Sequence, residues 1–455
     1  MDTPLCGSTD KKLFWWLMFV LGASMLFPEY IAPLFVFILY IYFIFHFKKT
    51  GRNAKLGTMG KGIFAYLIFM LVSSIWSKTH MASILIALLW LGCFLTYIMV
   101  ANVVNTKEKL KFAITAVNVS AGIIGLIATL EIITFHLSKQ TGMHFVIPNP
   151  LFYGINDRVF DFLPVEIVNK PYRTRASATF DNPLILATYL VITTPFCAFG
   201  SVYFRHSRNR KISRACLVFA ISGIVCTFSR GAYIAVGMSI LIMLISNRRI
   251  FKKLFPFVFI LAITIPIGLA LRYSHSNGDF LASTSHRIDI WKYSFDMFLH
   301  HPIIGLGCGT DNIHTLLRDT YGIDRAHTHN LMLQMIVEGG IVGVAFAAAV
   351  VVIIAKRLYG LYEHKEYRYR PFAVLYTASI TGFVVMSMFE FTLQSAKEMM
   401  TFFILLGLIE ATARMETNSL QLADDELFSY EEITEYDLEE DAEEKLQKQN
   451  KKAVR

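Results

Sequence analysis

The sequence has little charge. Only 17% of its 455 residues are Asp, Glu, Lys or Arg, against roughly 25% in an ordinary soluble domain. With 55% hydrophobic residues and a mean hydropathy of +0.49, a soluble fold of this length could not hide its apolar surface. A disulfide framework is also lacking. Of six cysteines, Cys93, Cys197, Cys216 and Cys226 lie in or beside apolar segments, Cys6 is near the start, and Cys308 alone falls in a long polar loop. They read as small apolar core residues. The formal charge of +9 does not indicate nucleic acid, because the basic residues sit in gaps between apolar runs instead of along one face. No internal repeat is visible. The first apolar run, Leu13 to Phe27, lacks a small-residue cleavage site, so it reads as a retained span and not a signal peptide.

What is present is a series of long apolar runs broken by short basic clusters, the pattern of membrane spans. Twelve are expected: 13–28, 30–47, 62–77, 82–103, 112–135, 184–204, 215–229, 231–246, 254–271, 331–355, 371–391 and 399–413. The fold class is therefore all-α, a polytopic bundle of about 12 helices. Positive charge orients it. With the N-terminus inside, 30 of the 43 Lys and Arg residues fall in inner segments, as the bias toward cytoplasmic positive charge requires. Both termini are expected in the cytoplasm. The runs 215–229 and 231–246 read as a hairpin turning at Ser229-Arg230-Gly231, which places Arg230 at membrane depth, where a charge needs a cavity or a partner.

Two expected outer loops are long, 136–183 and 272–330, and are expected to contain short helices and form the working face of a membrane domain spanning 1–413. The tail 414–455 holds 13 of the 34 acidic residues. It reads as a solvated cytoplasmic tail, with a cytoplasmic docking partner as the alternative.

Loop 272–330 carries most of the candidate chemistry. Ile288, Trp291, Phe295 and Phe298 recur at helical spacing, which predicts an amphipathic helix over 285–299 on the outer face. The stretch His301-Pro302-Ile303-Ile304-Gly305-Leu306-Gly307-Cys308-Gly309 is turn-rich. It lacks the preceding strand that gives a nucleotide-binding glycine loop its meaning, so its glycines read as chain reversal. His327 and His329 then stand at the rim of a stripe, Asn330, Gln334 and Glu338, that descends one helical face into the membrane. An intramembrane carboxylate should face a cavity. The two histidines could be general bases, metal ligands, or interfacial hydrogen-bonding groups; no carboxylate-rich ligand spacing accompanies them. Arg173, Arg175, Arg230 and Arg287 place permanent cations on a side from which positive charge is otherwise excluded. Any one of them could anchor a lipid headgroup; all four together suit an anionic lipid-linked substrate, above all a diphosphate.

In order, Arg-x-Ser-x-Thr-Phe-x-Asn-Pro at 175–183 (with Asn182) followed by Ala187 and Tyr189, Ser-Arg-Gly at 229–231, Arg287 with Trp291 followed by the His301–Gly307 stretch, and His329-Asn330-x-x-Leu333-Gln334 followed by Glu338-Gly339-Gly340 resemble the O-antigen ligase and O-antigen polymerase superfamily. The resemblance covers roughly 170–345 in motifs. It implies a bacterial inner-membrane glycosyltransferase that moves a glycan from an undecaprenyl-diphosphate carrier to an acceptor hydroxyl on a lipid or another glycan, with inversion and with neither nucleotide nor metal. It further implies that Arg230 and Arg287 hold the carrier diphosphate, that His329 positions or deprotonates the acceptor, and that Arg175 and Asn330 line the site. Arg173, Asn182, His327, Gln334 and Glu338 complete the candidate substrate-binding set. The resemblance does not separate ligase from polymerase. The large outer domain of protein-glycosylating relatives is not seen. A transporter or flippase of lipid-linked glycans is the alternative from another class; it would be expected to show helix pseudo-repeats and polar residues on both sides of the midplane.

Overall fold

A computed structural model describes residues 8–26, 32–141, 175–246, 279–363 and 369–417. The described residues are 81% helical with no strands. The helices are α1 (Ser8–Ser24), α2 (Ala32–Lys49), α3 (Gly57–Ser73), α4 (His80–Val103), α5 (Lys107–Thr141), α6 (Pro183–Tyr203), α7 (Ser207–Cys226), α8 (Arg230–Ser246), α9 (Asp279–His300), α10 (Thr310–Tyr321), α11 (Leu331–Glu363), α12 (Arg370–Ser387) and α13 (Ala396–Thr417). Each expected span in the described residues coincides with a helix; the span 254–271, residue Arg173 and the acidic tail from 418 onward lie outside them, while 414–417 continue α13. Among the described residues, five helices are long and apolar enough to cross a membrane: α2, α4, α5 over Lys107–Thr134, α6 and α11. Helices α3 and α8 are shorter apolar helices.

The bundle is apolar on its outside as well as in its core. Trp15, Trp16, Phe19, Phe45, Leu85 and Val351 are exposed on its outside, a surface that water would not tolerate and lipid does. Its axis is α6, buried from Ile185 to Tyr203. Helices α5 and α7 pack on α6 and on each other, α12 packs on α6 and α8, and α13 packs on α4. Close approach depends on small residues: a Cβ on Gly125 would lie 2.2 Å from the Phe219 carbonyl oxygen, and one on Gly223 2.8 Å from Gly125 Cα. This is how helices associate where no hydrophobic gradient drives them together.

Two buried polar clusters mark opposite ends of the bundle. At one end Glu410 of α13 accepts from Arg414 Nε at 3.0 Å and pairs with Arg357 Nε at 3.4 Å, while Arg414 also donates to the Ala101 and Lys55 carbonyls. These arginines and Lys55 adjoin the basic segments expected to face the cytoplasm. At the other end lies Lys397, 13 residues earlier on the same helix and thus about 20 Å away. It is fully buried and donates to the Thr179 carbonyl, in the loop that carries the first arginine motif.

Helix α11 is broken. Gly340 has φ 59° and ψ −159° inside an otherwise continuous helix. At the break, the stretch 302–307 pairs with two carbonyls and two amides of α11. Leu306 N–H donates to Val337 O at 2.9 Å and Gly307 N–H to Glu338 O at 3.0 Å; Ile341 N–H donates to Pro302 O at 2.9 Å and Val342 N–H to Ile303 O at 3.1 Å. Backbone polar groups at membrane depth must be paired within the protein, and here a loop is spliced into the gap. Glycine is required on both sides. Gly305 (φ +67°) and Gly340 (φ +59°) would bring a Cβ to 2.4 Å from Glu338 O and 2.5 Å from the Ile303 carbonyl carbon. These glycines therefore do more than reverse the chain.

Helix α9 exists as expected but begins earlier, and its buried face differs. Ile290, Ser294 and Met297 are buried, against Ile313 and Leu317 of α10 and Val337 of α11. Trp291 and Phe298 are half-buried, and Ile288 and Phe295 are exposed. The expected stripe is split because α9 leans its 290/294/297 edge on the rest of the protein and leaves the 288/295 edge outward. Cys308, expected in a polar loop, is buried; its amide donates to Ser73 Oγ at 2.9 Å.

Candidate functional site

Three non-glycine residues among those described have positive φ: Ala178 (47°), Phe228 (49°) and His329 (53°). Each lies a few residues ahead of a helix start, before α6, α8 and α11 respectively. Such backbone costs on the order of 1–3 kcal/mol per residue and persists where its surroundings over-determine it. Ala178 and His329 fall in motifs singled out from the sequence, and Phe228 directly precedes the Ser-Arg-Gly motif.

The first loop is held from several directions. Ser177 and Ala178 N–H both donate to Glu131 Oε2 of α5, at 3.0 and 2.7 Å. Thr179 Oγ1 donates to Met25 O at 2.8 Å, Ala176 N–H to Cys226 O at 2.9 Å, and Arg175 Nε to Thr227 O at 2.8 Å. The arginine motif is thereby fastened to the turn that precedes Arg230. Asn182 caps α6, its Oδ1 accepting from Leu184 N–H at 2.9 Å.

The second loop abuts the end of α12. A Cβ on Gly231 would lie 2.9 Å from Phe389 Cβ, so the Ser-Arg-Gly turn needs glycine in order to sit against Phe389. The next residue, Glu390, is the centre of the site. It is 1% exposed, and its Oε1 accepts from His327 Nε2 at 2.8 Å and His329 Nδ1 at 2.9 Å. Arg287 Nη2 lies 3.7 Å from Glu390 Oε2. The two imidazole centroids are 4.3 Å apart. Three sequence-distant segments, α9, the 327–330 loop and the turn after α12, thus converge on one carboxylate.

Burial alone would push the Glu390 carboxyl up. The hydrogen bonds from His327 and His329, with their charge interactions, outweigh that and hold it well below the usual carboxylate range. An ionised carboxylate only accepts. His329 must therefore present Nδ1 as the N–H donor, which leaves the lone pair of a neutral ring on Nε2. This is the arrangement by which a buried acid fixes a histidine tautomer.

The remaining candidates serve the scaffold of this loop. Asn330 Oδ1 accepts from Met332 and Leu333 N–H at the start of α11, and its Nδ2 donates to Met388 O at 3.2 Å. Gln334 is fully buried; its Oε1 accepts from Thr328 N–H and its Nε2 donates to Glu338 Oε1 at 2.6 Å. Trp291 Nε1 donates to Thr328 O. The Asn330–Gln334–Glu338 stripe exists, and its hydrogen bonds brace the histidine loop. Arg230 starts α8, and Phe389 joins its turn to the cluster.

Residues 215–348 match the family model described as O-antigen ligase. The match supports the O-antigen ligase and polymerase superfamily for this chain. It covers Arg230, Arg287, His327 and His329; Arg175 and Glu390 lie outside it and are supplied by the rest of the bundle. No curated protein matches the chain. The O-antigen ligase family comprises membrane enzymes of glycosyltransferase type, which act on lipid-linked glycan donors and acceptors.

Proposed function

We propose that this protein transfers a glycan from an undecaprenyl-diphosphate carrier to an acceptor hydroxyl at the outer face of the bacterial cytoplasmic membrane, with both termini in the cytoplasm. The observation that carries this reading is the convergence of His329, His327 and Arg287 on the buried Glu390.

In the proposed step His329 Nε2 takes the proton of the acceptor hydroxyl. The acceptor oxygen bonds to the anomeric carbon while the carbon–oxygen bond to the carrier diphosphate breaks, and that electron pair goes to the phosphate. A single displacement inverts the anomeric centre. Glu390 keeps Nδ1–H engaged so that Nε2 is the accepting nitrogen, and it stabilises the imidazolium that forms. Arg287 and Arg230, with Arg175 fastened beside them and Arg173 nearby in sequence, meet the negative charge that develops on the leaving diphosphate. Fixed cations favour that state without reorganising during the reaction. No step requires a nucleotide or a metal. Asn330, Gln334 and Glu338 hold the histidine loop, and Asn182 holds the arginine loop. The acidic tail is proposed to be cytoplasmic.

The test is transfer by the purified protein in lipid, with chelator present, from a defined undecaprenyl-diphosphate oligosaccharide. A lipid-A core acceptor and a second carrier-linked repeat are offered separately. Product on the core sugar makes the protein a ligase, and a ladder on the second carrier makes it a polymerase. Carrier translocation across vesicles without transfer to either acceptor would replace this reading with a transporter.

A further inference from the structure

The cluster has a second chemical capability. Among the described residues, His327, His329 and Glu390 place three metal-ligand atoms within 4.8 Å of one another. Two imidazoles and a glutamate form the donor set of a zinc site that keeps one coordination position open. Nitrogen and mixed donors of this kind select zinc, copper, nickel or cobalt over magnesium and calcium, which prefer all-oxygen ligands. A second, independent observation points to a ligand. Glu390 Oε2 is buried and accepts no hydrogen bond among the described residues, and Arg287 at 3.7 Å is too far to supply one. A buried carboxylate oxygen left in this way is costly. The side chains of His327 and His329 are 16% and 19% exposed, so an ion can reach them.

The hydrogen bonds of 2.8 and 2.9 Å already point both ring nitrogens at the carboxylate. In a tetrahedral zinc site with bonds of about 2.0–2.1 Å, neighbouring ligand atoms stand about 3.4 Å apart. Replacing the two bridging protons by one cation therefore asks the side chains to spread by about half an ångström.

We propose that this cluster is an inhibitory site for a divalent transition-metal ion of the zinc type. The inhibitory half rests on the proposed role of His329; the binding half does not. The argument is one of tautomers. Without metal, Nδ1–H of His329 faces Glu390 and Nε2 carries the lone pair. With metal on Nδ1, the neutral ring carries its proton on Nε2, so the nitrogen that should accept the acceptor's proton is already protonated. The same ion ties up Glu390 and adds positive charge beside Arg287. One ion thus removes the base without touching the arginines.

The experiment uses the full-length protein in lipid after chelator treatment. Co2+ is titrated and read by its visible absorption; Zn2+ is then added, and glycan transfer is measured in parallel. The expected result is one Co2+ per chain in a site of low coordination number, bleached by Zn2+, with transfer lost over the same Zn2+ range and restored by chelator. His327→Gln and Glu390→Gln, checked for folding by circular dichroism, are each expected to weaken Co2+ binding at least tenfold. His314→Ala, at the exposed pair with Asp324, leaves binding unchanged, and Arg287→Ala tightens it because an opposing cation is gone. Absence of the band, or a band that survives both Gln variants, overturns the site. Zn2+ binding with undiminished transfer, or transfer that requires the metal, overturns the inhibitory role. A Co2+ band in a protein that never transfers glycan leaves the site standing and overturns the functional reading instead.

Discussion

His329 Nδ1 donates to Glu390 Oε1 at 2.9 Å across 61 residues of sequence. The contact joins the loop before α11 to the turn after α12, and it decides which nitrogen of His329 is available for chemistry. His329→Ala is accordingly expected to lower kcat for transfer by roughly 10²–10⁴-fold, the usual worth of a general base, with the donor KM changed little. Initial rates at varied donor concentration check this; a fall confined to KM would assign His329 to binding.

The splice between residues 302–307 and the break in α11 should be highly sensitive to substitution. Gly340→Ala and Gly305→Ala each force a side chain into positive φ and into a backbone atom 2.4–2.5 Å away. A loss of about 1–3 kcal/mol or more is expected for each, read as a lowered Tm in detergent. Gly237, mid-helix in α8, has nothing within 4 Å of its would-be Cβ, and Gly237→Ala should leave the Tm unchanged or slightly raised.

Much of this architecture was legible in the sequence, and the reasons are specific. Apolar runs announce helices in lipid because nothing else satisfies the backbone there, so the expected spans coincide with helices wherever the residues are described. The splice at Gly340 was not legible, since the pairing of 302–307 with 337–342 is a tertiary contact and its glycines look like any turn. The buried edge of α9 is not legible either, because periodicity finds an apolar stripe but not the surface it meets. Glu390 carried the same signal as Glu338, a lone carboxylate in an apolar run: it is the one charged residue between positions 371 and 396. Histidines stand near Glu338 in sequence, whereas the histidines that touch Glu390 are 61 and 63 residues away. Likewise Glu131 and Lys397, which fasten the arginine loop, lie far from it in the chain.

The state of Glu390 has a consequence for acid stability. Burial works against ionisation, but the hydrogen bonds and charge interactions of His327 and His329 hold the carboxyl below its ordinary value. A carboxyl depressed in the fold stabilises above its unfolded value of about 4.3 and gives that stability up as pH falls toward its folded value. The Tm difference between the chelator-treated protein and Glu390→Gln should therefore be largest near neutral pH and shrink below about pH 4. A difference independent of pH from 7 to 3 would mean that Glu390 is not held ionised.

Orientation can be read by labelling. Thr320 at the end of α10 and Asn53 between α2 and α3 are both exposed and lie toward opposite ends of the bundle. With an impermeant maleimide added to intact cells opened only at the outer membrane, Thr320→Cys should label and Asn53→Cys should label only after lysis. The reverse pattern would invert the topology. Native Cys308 should stay unlabelled in the folded protein, being buried with its thiol pushed up by burial and by nearby Glu338.

The most direct measurement is the rate of glycan transfer by Glu390→Gln beside the wild-type protein and His314→Ala, in lipid and with chelator present. The amide keeps the size of the side chain and removes the fixed negative charge that selects the His329 tautomer. If the carboxylate organises the site, transfer in Glu390→Gln falls at least a hundredfold while His314→Ala stays within a few-fold of wild type. Transfer by Glu390→Gln within a few-fold of wild type would contradict it, and would place the reacting groups somewhere other than the convergence of His327, His329 and Arg287.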